Sequence, residues 1–322
     1  MIILPAAMFL IIFVLSKLIG VGSFGNELSL KTALRTGAFQ TLVAIGMSFN
    51  LLSNRWDYSV GASLTLASII APNLAKTFGL SAFPTLILSM AVCTVFTTIV
   101  GLAYIIVRIH PLVTSMGFLL VYEGISNIFN NGMGANVIGK SYMDLNKFPY
   151  FLIVFGVLFI FAIILFGKTQ YGYHLRQVSY GSEVAVNMGI KEPKIVLLAY
   201  VLSGVFIGAA AYMNATMKGS IWPANNSSSV AVAFACCVPF FVGKFLSKYG
   251  NMMIGIAMGG LTIGFMNTGL ASLGASASVQ TIINGLFLLG VLLVSANQTR
   301  VTEFFDNRRT ARAARKKISE EA

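Results

Sequence analysis

The sequence predicts an all-α polytopic membrane protein of about ten transmembrane helices, and three observations carry that prediction. The 322 residues are 57% apolar and only 10% charged, with a mean hydropathy of +0.82. The apolar residues gather in runs long enough to cross a hydrocarbon core of about 30 Å. Short in-out alternation of the kind a lipid-facing β-barrel needs is absent. In lipid each segment must satisfy its own backbone polar groups, so runs of this length imply helices.

The runs fall at 2–19, 38–53, 59–76, 84–107, 111–129, 149–167, 194–217, 229–243, 252–272 and 279–296. Residues 1–22 are read as the first span rather than a signal peptide, because no Lys or Arg precedes Lys17 and no small-residue cleavage site closes the run. VGSFGNELSLKTALRTG then reads as an extracellular turn leading into an interfacial helix. The second run is short for a crossing and ends in a polar break that holds Asn50, Asn54, Arg55 and Asp57. Charges at bilayer depth cost roughly 2.5–3.5 kcal/mol each on insertion scales, so they normally face protein or a water-filled path. Short or interrupted helices in transporters often end beside the solute, which makes Asn50, Asn54, Arg55, Asp57 and Ser59 candidates to line a path. Asp57 precedes YSVGASLTLASII, whose free amides it can cap. Arg55, two residues away, cannot pair with it on one helix face, so the chain is expected to leave helical geometry here. A capped helix start beside a snorkelled Arg is the competing reading.

VRIHP joins the fourth and fifth runs, and Pro111 marks a helix start. His110 is read as an interfacial residue before a proton relay. Glu123 is the only carboxylate inside the fifth run, and it faces either the path or a neighbouring helix as a tether. NNGMGANVIGKSYMDLNKF is expected outside, where a solute-delivery partner could dock. In 168–193, Ser182, Glu183, Val184, Ala185, Met188 and Ile190 read as a short amphipathic helix closed by Gly189. Such a helix suits a groove on a soluble partner, and it carries few basic residues for lying on lipid. Ser203, Gly204, Gly208, Ala209 and Ala210 allow close helix packing in the seventh span. Trp222 is an interfacial anchor or a stacking platform. Pro239 is expected to kink the eighth span or end a half-helix. Asn267, in the ninth, stands inside the membrane as a further path candidate. Cys93, Cys236 and Cys237 sit in apolar runs without His or Cys at ligand spacing and read as small core residues.

Charge sets the orientation. The formal net charge is +12, and if the basic tail 297–322 is cytoplasmic, most of the 22 Lys and Arg fall on the same side, including Arg55, Arg108, Lys168, Arg176 and Lys244. Both termini are then cytoplasmic. The charge is a topology signal; nucleic-acid binding is the weaker reading, since no basic surface is interleaved with exposed aromatics.

VAIGMSFNLLSNRWDYSVGASLTLAS resembles the region of ribose-type ABC importer permeases that usually reads GMT, an apolar run, then GIDLSVG and a Ser- or Ala-rich helix. YGSEVAVNMGIKEPKIVLLAYVLSG is similar to that family's cytoplasmic coupling helix and the span after it, and GFMNTGLASLGASASVQTIINGLFLLGVLLV to its C-terminal end. The resemblance to monosaccharide-type permeases of the branched-chain amino acid/sugar superfamily runs in order from about residue 34 to 296. It implies a type II importer-like permease domain over 1–296, in a bacterial inner membrane, dimeric with itself or with a second permease subunit. Two cytoplasmic ABC ATPase subunits and a soluble or lipid-anchored substrate-binding protein are the implied partners. Tyr180, Gly181, Ser182, Glu183, Ala185, Met188, Gly189 and Ile190 would form the coupling helix, and Asp57, Ser59 and Gly61 match DLSVG near the path. No GxxxxGK[ST] phosphate loop is present, so ATP and Mg would bind the partner ATPase.

Two departures stand out. The family's Gly-Ile-Asp-Leu-Ser is Arg55-Trp56-Asp57-Tyr58-Ser59 here, and its VLGGTSLAGG stretch is CCVPFFVGKFLSK. They point to a heterodimeric half or an unusual solute. Within this architecture a monosaccharide-like solute leads, with nucleoside, autoinducer or branched-chain amino acid as alternatives. An ion-coupled transporter would need buried carboxylates, and only Asp57 and Glu123 are available. A membrane enzyme has no catalytic constellation at one depth.

Overall fold

The computed structural model describes residues 2–20, 24–247 and 250–297. Helices occupy every predicted apolar run: α1 (Ile3–Leu18), α2 (Glu27–Leu52), α3 (Val60–Phe78), α4 (Ala82–Val107), α5 (Pro111–Ile128), α6 (Tyr150–Lys168), α9 (Glu192–Lys218), α10 (Ser229–Leu246), α11 (Met252–Ser272) and α12 (Ala277–Ala296). Two short helices, α7 (Gln170–Ser179) and α8 (Ser182–Asn187), lie between α6 and α9. By length and composition six helices can cross a membrane: α4, α5 with the turn after it, α6, α9, α10 and α11. The basic tail, but for Asn297, lies outside the described residues.

The bundle is built around α2 and α9. Every residue of α2 from Gly37 to Asn50 is buried, as is every residue of α9 from Phe206 to Ala215. A helix enclosed on all sides by protein needs no lipid-facing stripe; the charged residues of α2 lie before that stretch, where Glu27 and Lys31 pair with each other at the exposed start of the helix. Apolar surface gives helices in lipid little reason to associate, so close approach of small residues does more of the work. A Cβ at Gly204 or Gly208 would strike the backbone of Thr94 or Met90 on α4, and one at Gly264 that of Gly37 on α2. At the periphery, α6 leaves Ile153, Val157, Ile160 and Ile164 exposed, and α12 leaves Val279, Ile282, Leu286 and Leu293, as contact with lipid tails requires.

Three expectations change. The second helix is not short: it runs unbroken for 26 residues, and the anticipated interfacial helix is its first third. Ala33 and Gly37 pack against Gly264 of α11, which holds those polar turns in one helix. Pro239 does not end a half-helix; α10 continues through it to Leu246, so the second family departure lies inside a helix from Cys236 to Leu246. The segment 168–193 holds an unforeseen helix, α7, whose N-cap Thr169 accepts from Gly172 N at 3.2 Å. Its Arg176 donates to the Phe166 carbonyl at 2.8 Å, folding α7 back on α6. At the opposite end of the bundle a two-residue strand β1 (Ala135–Asn136) pairs antiparallel with β2 (Ser220–Ile221) and lashes the loop after α5 to the loop after α9.

Candidate functional site

Three features could carry function: a buried turn between α2 and α3, a polar cavity, and the exposed α7–α8 segment. The turn is built from the polar break. Asn54 takes a left-handed conformation, φ 59°, and ends helical geometry as expected. Asp57 is buried, and its Oδ1 accepts from Ser59 N at 2.9 Å and Ser59 Oγ at 2.6 Å. The carboxylate therefore fixes the N-cap residue of α3 rather than the amides of its first turn, a correction to the simple cap. Its Oδ2 accepts from Asn50 Nδ2 at 3.2 Å, and that same amide reaches Ser203 Oγ on α9 at 3.4 Å. Ser203 lies about 16 Å along α9 from Glu192 at 1.5 Å per residue, so the knot sits well inside the bundle.

Arg55 does not snorkel. It is buried, pairs with Glu192 at the start of α9, donates to the Ser53 carbonyl, and lies 5.0 Å from the centre of the Tyr104 ring on α4. Asn54 is exposed and donates to the Ser179 carbonyl at 3.4 Å, tying the turn to the end of α7. Asn50, Asp57 and Ser59 thus come together, while Asn54 and Arg55 bind outward to neighbouring elements.

Glu123 is a tether, one of its two predicted roles. It is buried on α5, where Oε1 accepts from Ser229 N at 3.1 Å and Ser229 Oγ at 2.5 Å, and Oε2 from Ser227 N at 2.9 Å. Its place about 18 Å along α5 from Pro111 means α10 starts inside the bundle. The starts of α3 and α10 touch there: a Cβ on Gly61 would collide with the Ser229 carbonyl. Two helix N-termini side by side concentrate positive potential, which two buried carboxylates, Asp57 and Glu123, offset.

Asn267 does not join that knot. It lines a cavity of about 590 Å³ between α2, α9, α10, α11 and α12, with Gln40, Asn214, Lys218, Gln280, Thr281 and Asn284. Asn284 Nδ2 donates to Asn267 Oδ1 at 3.0 Å, and Asn214 Nδ2 to Ser68 Oγ on α3 at 3.2 Å. Phe39, Phe234, Cys236 and Leu288 supply apolar wall. Volume and lining are those of a small-molecule site. Only Asn267 of this set was singled out from sequence. The legible signal was there, since Gln40 and Asn284 are amides within apolar runs, but the break at 50–59 drew the reading to charge.

The aromatic departures pack together. Trp56 lies 6.3 Å from Tyr58 and 6.0 Å from Phe241, and Tyr58 lies 5.4 Å from Phe234 in the cavity wall (ring centroids). The two unusual stretches are therefore one stack joining the α2–α3 turn to α10.

In the α7–α8 segment, Gly181 at φ 139° opens α8 and Gly189 at φ 78° closes it. Gly189 N donates to Val186 O at 2.9 Å and Ile190 N to Ala185 O at 3.0 Å, the paired bonds of a Schellman end. The apolar residues do not form the single face expected. Ala185 is wholly buried against the bundle, whereas Tyr180 (82%), Val184 (49%) and Met188 (62%) stand exposed. Glu183 and Gly189 are exposed as well, and the Ser182 side chain lies outside the described residues. Two anchors fix so short a helix, the buried Ala185 and the left-handed glycines.

Comparison with known proteins gives a family and relatives. Residues 29–295 match the family described as branched-chain amino acid transport system / permease component. The ribose import permease protein RbsC of Bacillus subtilis is 26% identical over 300 residues, covering 90% of this chain and 92% of the relative. The galactose/methyl galactoside import permease protein MglC of Escherichia coli is 24% identical, covering 83% and 86%. The galactofuranose transporter permease protein YtfT of Escherichia coli is 25% identical, covering 85% and 81%. No solved structure matches.

Proposed function

Because the chain belongs to the branched-chain amino acid transport system / permease component family, we propose that it is the membrane subunit of an ATP-driven importer carrying a monosaccharide-like solute. As a transport permease it is a multi-pass membrane protein and not an enzyme. The observation that carries the reading is the family match over residues 29–295, joined by relatives named for import of ribose, galactose and galactofuranose.

In this reading the ten long helices cross the inner membrane with both termini in the cytoplasm. The α2–α3 turn and the α7–α8 segment then face the cytoplasm, and the β1–β2 end faces out towards a substrate-binding protein. Exposed Tyr180, Val184 and Met188 present an apolar surface to a groove on a cytoplasmic ATPase, with Glu183 beside it. The Asn54 bond to Ser179 and the Arg55–Glu192 pair link that segment and the start of α9 to the α2–α3 turn. Closure of the ATPases on ATP would move α7–α8, and through these links re-aim the helices around the cavity in alternating access. A second permease subunit completes the assembly, and ATP and Mg bind the ATPases alone. Solute enters the cavity of Gln40, Asn267 and Asn284, while Asn50, Asp57, Ser59 and Glu123 hold the two helix starts beneath it. An ion-coupled mechanism needs a carboxylate open to the coupling ion, and both Asp57 and Glu123 are engaged by backbone and hydroxyl donors.

Affinity purification of the tagged chain from its native membranes is expected to bring down an ABC ATPase, and Glu183→Arg to reduce recovery several-fold. Uptake by this chain alone, driven by a proton gradient, would sink the proposal.

A further inference from the structure

Two amides in the cavity are remarkable only for what they lack. Gln40 sits midway along α2 and is 6% exposed, yet its Oε1 has no hydrogen-bond partner among the described residues. Asn284 spends its Nδ2 on Asn267 and leaves Oδ1 equally unmatched. A buried acceptor without a donor is destabilising and calls for an explanation. Here the explanation lies in the cavity both side chains line.

The chemistry of the lining narrows what can fill it. Among the described residues it offers amides, the Thr281 hydroxyl and a single cation, Lys218, and no carboxylate. An ammonium group moved from water into such a site would meet neutral dipoles and the like charge of Lys218, and would lose more hydration than it regains. A hydroxyl both donates and accepts, so a ring of hydroxyls can satisfy Gln40 and Asn284 and accept in turn from amide N–H groups and Lys218. The apolar wall of Phe39, Phe234 and Leu288 suits the C–H face of such a ring.

We propose that Gln40 and Asn284 read the hydroxyl groups of the solute and set a preference for an uncharged polyhydroxylated solute over an α-amino acid. This rests on the transport reading above and selects among its solute classes. A site kept unsatisfied until solute arrives exchanges stability for binding.

The test uses cells deleted for their own ribose, galactose and leucine importers that express the complete assembly, this chain with its ATPase and binding protein. Uptake of radiolabelled D-ribose, D-galactose and L-leucine is measured against the amount of permease in the membrane. The wild type is expected to carry at least one of the sugars and not L-leucine. Gln40→Leu and Asn284→Leu are each expected to lower that uptake at least tenfold. In detergent, the purified Gln40→Leu chain is expected to melt no lower than wild type, which a merely structural residue would not allow. Gln40→Asn, which keeps the amide, is expected to raise the KM for uptake and spare the maximal rate. Sugar uptake within twofold of wild type in both leucine variants overturns the inference and leaves the transport reading standing. A lowered melting point in Gln40→Leu with unchanged KM in Gln40→Asn also overturns it. Uptake of L-leucine, or of neither sugar, overturns the sugar reading itself and the inference with it.

Discussion

Arg55 is a buried charge whose meaning depends on a partner far away in the sequence. A charge in an apolar chain is a good pointer to function, but Arg55 is matched by Glu192, which lies 137 residues away. No local pattern announces such a partner. Removing one member of a buried ion pair strands the other, so Arg55→Ala is expected to cost about 3 kcal/mol, read as a drop in melting temperature. Replacing both, Arg55→Met with Glu192→Leu, is expected to return stability to within about 1 kcal/mol of wild type. Glu123 behaves in the same way: Glu123→Ala would leave the amides of Ser227 and Ser229 without their acceptor. That loss is worth about 1–3 kcal/mol for a buried group. Glu123→Gln, which keeps one acceptor oxygen, is expected to lose less in the same melting experiment. The carboxylates were legible as special, but their partners, and so their roles, were not.

At the level of elements, hydropathy located the helices well and their ends poorly. The polar first third of α2 runs on into a buried stretch and already meets Gly264 of α11 at Ala33, and the Pro239 turn of α10 is buried among its neighbours, conditions that local sequence does not carry. The α7 helix escaped notice for the opposite reason. It is polar overall, with Gly172, Leu175 and Val178 buried and Tyr171 packed against Phe49. Close contacts between elements are the sharper test of the arrangement. Gly61→Ala is expected to force the starts of α3 and α10 apart and to reduce folded protein recovered from membranes several-fold. Gly124→Ala on α5, where a Cβ meets open space, is expected to have no such effect. Fluorescence-detected size exclusion of the two variants would compare them directly. The two departures from the family pattern, separate puzzles in the sequence, become one feature once Trp56 and Phe241 are seen in contact.

The whole molecule was the most legible level. Composition and run length reveal a polytopic helical protein because lipid allows so few alternatives, and the ordered resemblance over about 34–296 agrees with the family match over 29–295. The cavity was not legible, since a space between five helices exists only after packing. One detail of that packing has a practical side. The chain has two tryptophans, and the bundle puts them at opposite ends. Trp56 stands in the aromatic stack beside the start of α9, and Trp222 follows β2, past its end, with 70% of its surface exposed. Trp222→Phe would therefore leave a native single-tryptophan fluorophore at one known place. Any motion that parts α10 from the α2–α3 turn would register as a change in its emission, with no dye attached.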